Sequence, residues 1–161
     1  MKNIFLNKLN IIEGDLSKKE HAEAFEKLTD AYALDPMGLG RPLPVQRKEI
    51  LIDALKKFPL QLIYIAYLNG KPAGLATCFF SFSTFHAAKV INIHDLVVLP
   101  EYRSNGIGNA LLEAVEKKAK AEKCCKVTLE VRTDNSARNL YERFGFTYGK
   151  PKMYFMSKLI K

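Results

Sequence analysis

The chain has no tryptophan, three cysteines in 161 residues, and only 17 acidic residues to set against 25 basic ones. Each shortage excludes something. Cys78, inside an apolar run, and the adjacent Cys124 and Cys125 cannot build the paired framework of a small secreted domain, and their spacing matches no zinc pattern. They are expected to be buried or half-buried free thiols. No apolar run reaches the roughly eighteen residues of a membrane-spanning helix, and Lys2, Lys8 and Glu13 break the apolar start where a signal peptide needs continuity. A cytoplasmic protein with no membrane partner is the expectation. Repeats, low-complexity tracts and linkers are also missing, so residues 1–161, 48% of them apolar, are expected to form one domain. A chain of this size buries about two-thirds of its unfolded surface in a single core.

The shortage of acid leaves a net charge of +8. The lysines are scattered over helices and termini without aromatic interleaving or a nucleic-acid motif, so nucleic acid is not an expected partner. Much of the charge is a solvated surface. It disfavours strongly cationic ligands approaching from a distance.

Periodicity divides the chain into alternating elements. Phe5 to Glu13 reads as a strand, and Ser17-Lys18-Lys19-Glu20 matches a capping box that starts a helix with Ala24, Phe25, Leu28, Ala31 and Tyr32 on its core face. Asp35 to Pro44 is too rich in Pro and Gly for either period. A second helix carries Ile50, Leu51, Ala54, Leu55 and Phe58 and stops before Pro59, because the residue ahead of proline avoids the helical region. Strands Leu60 to Leu68 and Lys71 to Phe80 flank Asn69-Gly70, a strong hairpin signal, and Val90 to Leu99 follows as a further strand. Ile107, Ala110, Leu111, Ala114, Val115 and Ala119 repeat at helical spacing. Lys126 to Val131 is a short β-branched run, a helix follows from Asp134 to Phe146, and Met153 to Ile160 reads as a closing strand.

The most informative stretch is Leu96 to Gly108, L-V-V-L-P-E-Y-R-S-N-G-I-G, where an apolar strand meets a glycine turn that opens a helix. The N–H groups of Ser104, Asn105, Gly106, Ile107 and Gly108 have no partner within that helix and converge on whatever lies above, with the positive helix end behind them. Gly106 and Gly108 lack the Cβ atoms that would keep a bulky anion away. The absence of G-K-[ST] excludes a nucleotide-triphosphatase loop.

The order strand, glycine turn, helix, strand, helix ending in Gly-Phe resembles the acetyl-CoA-binding core of the GNAT N-acetyltransferase superfamily. R-x-x-G-x-G matches Arg103 to Gly108, and A-x-x-L-Y-x-x-x-G-F matches Ala137 to Phe146. The resemblance implies an α/β (α+β) fold, with a mixed, mostly antiparallel sheet of six to seven strands flanked by about four helices. It implies acetyl-CoA as acyl donor, held by Leu96, Val97 and Val98, by Arg103 to Gly108, and by Asn135 and Arg138. An Asn usually stands three residues before the Ala of the second motif; here that position is Asp134, with Asn135 one residue later. Either side chain can cap the helix. The negative phosphates of the donor would be drawn by a basic field around Arg103, Lys126 and Arg138. By the same resemblance Met37, Leu39, Arg41, Phe82, Thr84 and Phe85 are candidate walls of the acceptor site. The short link Thr147 to Lys152 leaves that side comparatively open.

Acetyl transfer from a thioester to an amine needs a neutral nucleophile, yet a lysine-like amine titrates near 10.4 and is charged at neutral pH. A base or a water relay is required. The forming oxyanion needs a donor, which the resemblance places at a backbone amide near Val97 or Val98. Tyr141 occupies the superfamily's general-acid position. I-H-D-L-V-V resembles the E-D-I-Y-V segment of diamine acetyltransferases, which puts His94 in place of a glutamate; histidine ordinarily titrates close enough to neutrality to serve as a base. Strand alternation sends His94 and Asp95 to opposite faces unless a bulge intervenes. His94, Asp95 and a water relay therefore remain alternative bases, with Asp95 otherwise a substrate contact. His21 and His86 are expected at the surface. The expected function is acetylation of a small-molecule primary amine, against a protein lysine or N-terminal acetyltransferase and a catalytically silent acyl-CoA-binding module. No metal is implied, and a homodimer is left open.

Overall fold

A computed structural model describes residues 8–160. It forms β1 (Leu9–Glu13), α1 (Lys19–Leu34), α2 (Val45–Lys57), β2 (Gln61–Leu68), β3 (Lys71–Ser83), β4 (Ala88–Val98), a 3-10 turn (Pro100–Tyr102), α3 (Ile107–Ala121), β5 (Lys126–Leu129) and α4 (Arg138–Phe144). The strands make one sheet in the order β1-β2-β3-β4-β5, antiparallel throughout except for the parallel β4–β5 pair. This is the expected α/β architecture with four α-helices.

Alternation along the strands divides the core into two layers. Leu62, Tyr64, Ala66 and Leu68 of β2 pack with Ile107, Leu111, Leu112 and Val115 of α3 and with Tyr141 of α4. Ile63 and Ile65 point the other way, onto Ala24, Phe25 and Leu28 of α1 and Leu51, Ile52 and Leu55 of α2. Asn69 and Gly70 join β2 to β3 with φ of 51° and 78°, the pair of left-handed residues that a tight hairpin matches to strand twist.

The structure corrects several expectations. The sheet has five strands rather than six or seven, because Met153 to Ile160 forms no strand among the described residues and its apolar side chains are exposed. Apolar content gives that run strand character, but a strand exists through its ladder partners, and no neighbouring strand supplies them there. The capping box does not form. Lys18 stands at the N-cap of α1 without a side-chain cap, while the Ser17 hydroxyl and N–H both donate to the Asp15 carboxylate, a local turn that outcompetes the cap. β3 runs three residues past Phe80, and β5 ends at Leu129 rather than Val131. Phe5 to Asn7 of the expected first strand lie outside the described residues.

The three cysteines are free as expected, Cys78 buried and Cys125 exposed. No helix among the described residues is long and apolar enough to cross a membrane. His86 is exposed, whereas His21 is half-buried and its Nδ1 accepts the Asp15 N–H at 3.0 Å.

Candidate active site

The site originates in a parting of two strands. β4 and β5 pair from Val90↔Lys126 to Ile93↔Leu129, and no further pair joins them. From His94 onward the β5-facing backbone of β4 has no strand beside it among the described residues. The gap opens a cavity of about 630 Å³, lined on one side by Leu96, Val97 and Val98 and on the other by Leu129, Glu130, Val131 and Arg132. Helices close it from both faces of the sheet: Tyr32, Asp35 and Met37 from α1 and its following loop, and Ile107, Gly108, Asn109, Leu140 and Tyr141 from α3 and α4. Its volume lies within the few hundred to about 1,000 Å³ usual for small-molecule sites.

The glycine turn forms the cavity's floor. Ser104 and Gly106 adopt φ of 64° and 75°, a left-handed pair that turns successive N–H groups the same way, and Gly106 becomes the N-cap of α3 without a side-chain cap. The first helical N–H to find a helical-type partner is that of Ala110, bonded to the Gly106 carbonyl at 3.0 Å. Ile107, Gly108 and Asn109 thus present their amides outward, as a helix N-terminus must. A diphosphate fits this cradle, since nothing lies within 4 Å of where a Gly106 Cβ would stand. Gly108 plays a different part from the one expected. A Cβ there would meet Leu140 Cδ2 at 2.9 Å, so its missing side chain lets α3 and α4 approach each other.

Two arginines bind the loop after α1 across the cavity. Arg103 Nη2 donates to Asp35 Oδ2 at 2.7 Å, and its Nε donates to the Val98 carbonyl at 3.2 Å. Arg132 holds Asp134 through two bonds of 2.7 and 3.0 Å and reaches the Pro36 carbonyl at 3.3 Å. Asp35 also caps its own turn: its carboxylate accepts the Met37 N–H at 2.8 Å, which with Arg103 holds its pKa below the ordinary carboxylate value. The loop is therefore a strap, pinned to the glycine turn at one end and to the β5–α4 connection at the other.

The strand irregularity that could reconcile His94 with Asp95 is present. Thr77 pairs with Asp95 and Cys78 with Ile93, leaving β4 with one extra residue. Ile93 and Leu96 both pack on the α3 face, so the alternation loses one step between them, and His94 and Asp95 both turn to the α1–α2 face. His94 lines the cavity, its ring meeting the Phe79 edge at 5.5 Å. Burial raises the pKa of the half-buried Asp95 carboxyl, and the His94 charge partly offsets this. Burial, then the negative charges of Asp95 and Asp35, raise that of Tyr32. Tyr141 is buried at 9% exposure, its ring 6.0 Å from that of Phe146, and burial followed by the neighbouring Tyr32 pushes its pKa to about 12. At neutral pH Tyr141 is a phenol with a proton to give.

Of the residues expected from sequence, the cavity collects His94, Leu96, Val97, Val98, Arg103, Ser104, Gly106, Ile107, Gly108, Asn135, Tyr141 and Met37. Others stand elsewhere. Asn105 staples the turn from behind, donating to the carbonyls of Tyr102 and Arg103 at 3.1 Å each. Asn135 accepts the Ala137 N–H at 2.9 Å, which makes it the residue that organises the start of α4, while Asp134 serves Arg132. Arg138 and Lys126 do not line the cavity; Arg132 and Arg143 supply its positive charge with Arg103. Arg41 and Leu39 point to solvent beyond the strap. Phe82, Thr84 and Phe85 lie at the tip of the β3–β4 hairpin, with Phe82 63% and Phe85 99% exposed, too far along the strands to wall the site. Tyr32 and Arg132 line the cavity without having been expected there. Tyr32 sits at core spacing on α1 and reads as packing; Arg132 follows a strand whose end the β-branched run does not mark.

Comparison with known proteins agrees with this geometry. Residues 25–146 match the acetyltransferase (GNAT) family. An uncharacterized N-acetyltransferase of Methanocaldococcus jannaschii is 34% identical over 85 residues, 52% of this chain and 38% of that protein, so the match spans well under half of the relative. A probable acetyltransferase of known structure superimposes with a TM-score of 0.81 at 18% identity, covering 94% of this chain and 99% of that one. An aminoglycoside N-acetyltransferase crystallised with CoA gives 0.74 at 15% identity, over 95% and 97% of the two chains. At such identities the structural likeness is one of fold.

Proposed function

From the premise that this chain belongs to the acetyltransferase (GNAT) family, with acetyl-CoA as its acyl donor, we propose that it acetylates the primary amine of a small molecule by direct transfer. The donor supplies an acetyl thioester. The observation that carries the reading is the single cavity between the parted strands, which has the amide cradle at one end and puts His94 and Tyr141 on its walls. The amide cradle holds the diphosphate, and Arg103 pins the strap beside it. The β5-facing amides of β4, near Val97 or Val98, face the thioester oxygen and stabilise the charge it gains. His94, beside Asp95, takes the proton the amine must lose, directly or through a water; as the C–N bond forms and the C–S bond breaks, Tyr141 gives its proton to the departing thiolate. The enzyme acts as one domain in the cytoplasm, a reducing compartment that suits its three free cysteines.

A panel of alkylamines, amino acids, aminoglycosides, polyamines and peptides assayed against acetyl-CoA, with CoA affinity measured alongside, tests this. Turnover on small amines supports it. Preference for a basic peptide overturns the acceptor class, and tight CoA binding without any turnover overturns the catalytic reading.

A further inference from the structure

Helix α2 contributes Leu51, Ile52 and Leu55 to the α1-face core, yet buries no residue completely. Its loose seat leaves a second cavity of about 300 Å³ between α2 and β3, walled by Leu51, Ala54, Leu55, Phe58 and Phe79. All five are apolar. A ligand there gains by removing apolar surface from water and has nothing to hydrogen-bond from these side chains. The cavity lies next to the candidate active site. Phe79 meets Phe58 edge-on at 5.4 Å on one side and His94 at 5.5 Å on the other. A single aromatic ring thus stands between the slot and the part of the reaction cavity that His94 lines.

We propose that this slot takes the apolar substituent of the acceptor, making the substrate class primary amines that carry a short alkyl chain or one aromatic ring. The inference rests on the amine-acetyltransferase reading above and adds its specificity. Polarity fixes the orientation: the amine has no partner among the five slot side chains, whereas on the other side of Phe79 it finds His94 on the wall of the reaction cavity. The slot's volume is at the lower limit of small-molecule sites, about 300 Å³, which suits one ring or a short chain and not a polycyclic group. Ala54 is the residue that keeps the slot open, since it presents only a methyl group from the exposed face of α2.

The test is a homologous series of ethylamine, butylamine, hexylamine and phenethylamine, assayed with the full chain and acetyl-CoA. Each methylene that enters the slot is expected to raise kcat/KM by about fourfold, the ratio that burying one CH₂ provides. Ala54→Phe fills the slot and is expected to flatten this dependence, with CoA affinity in calorimetry reporting that the variant is folded. A second readout needs no turnover: saturation-transfer NMR with hexylamine is expected to give a signal with the native chain that Ala54→Phe loses. Turnover with a flat series, or a slope that survives Ala54→Phe, overturns the slot while leaving amine acetylation standing. Hexylamine binding that depends on Ala54 without any acetylation keeps the slot and overturns the reaction. No turnover and no saturation transfer overturn both.

Discussion

Tyr141→Phe removes one oxygen from the cavity wall and leaves the rest of the packing in place. The ring lies in the α3–α4 core at 9% exposure and keeps its edge contact with Phe146. Stability should therefore change little, by no more than about 1 kcal/mol, the net worth of a typical hydrogen bond. Catalysis should change far more. A positioned general acid contributes about 10²- to 10⁴-fold, so kcat is expected to fall by that factor, equivalent to roughly 3–5 kcal/mol of barrier. The fall should appear in kcat and kcat/KM together, because the proton is given only as the thiolate leaves. The pH dependence sharpens the test. Burial holds the phenol protonated to about 12, so Tyr141 contributes no alkaline loss of activity across the range in which the protein is assayed, and the variant's profile should keep its shape while dropping in height. Thiol release monitored from pH 6 to 10, with thermal melts of both proteins, makes the comparison. Native turnover in the variant would rule out Tyr141 as the acid and leave it a packing residue of the core.

His94→Ala is expected to remove or displace the acidic limb of the kcat/KM profile, since a base must be deprotonated to work; a limb unchanged in midpoint assigns the proton to a water relay or to Asp95. Asp95→Asn is expected to stabilise the folded chain near neutral pH. The raised carboxyl binds its proton more tightly when folded, so native stability declines as pH climbs from about 3.8 through the folded pKa, and Asn abolishes that decline. Equal melting temperatures for the two proteins across pH 3 to 8 would contradict the burial. Gly108→Val is expected to lower the melting temperature, because the new side chain meets Leu140, and by displacing the start of α3 to weaken CoA binding about tenfold; undiminished CoA affinity in calorimetry would show that the packing of α3 on α4 does not set the cradle.

How much of this was legible in the sequence depended on whether a feature is local. The Asn69-Gly70 hairpin, the amphipathic α3 and the glycine turn each encode their conformation within a few residues, and each appears where the pattern put it. The failures are places where a nearby or distant partner decides. The Ser17 hydroxyl donates to the Asp15 carboxylate instead of accepting from the N–H groups of a helix N-terminus. Met153 to Ile160 has strand composition but no strand to join. Arg103 matches a phosphate-binding motif, yet its guanidinium reaches back 68 residues to Asp35, a pairing no local pattern announces. Phe82, Thr84 and Phe85 were misplaced because β3 continues to Ser83 and carries them past the site. The bulge at His94 is the instructive case. Alternation could state the condition under which both side chains share a face, but only the register of β3 against β4 meets it.

The place where β4 and β5 cease to pair has a consequence for how the site can vary. A sheet clothed by helices on both faces is ordinarily a wall, and this one is pierced: the opening admits Tyr32 and Asp35 from one layer and Gly108 and Tyr141 from the other. The glycine turn opens α3 on one face of the sheet and the apolar slot lies beneath α2 on the other, so the two sides of the site are built from different helices. Substitutions in α2 would therefore reshape one side of the site and leave the turn ahead of α3 as it is.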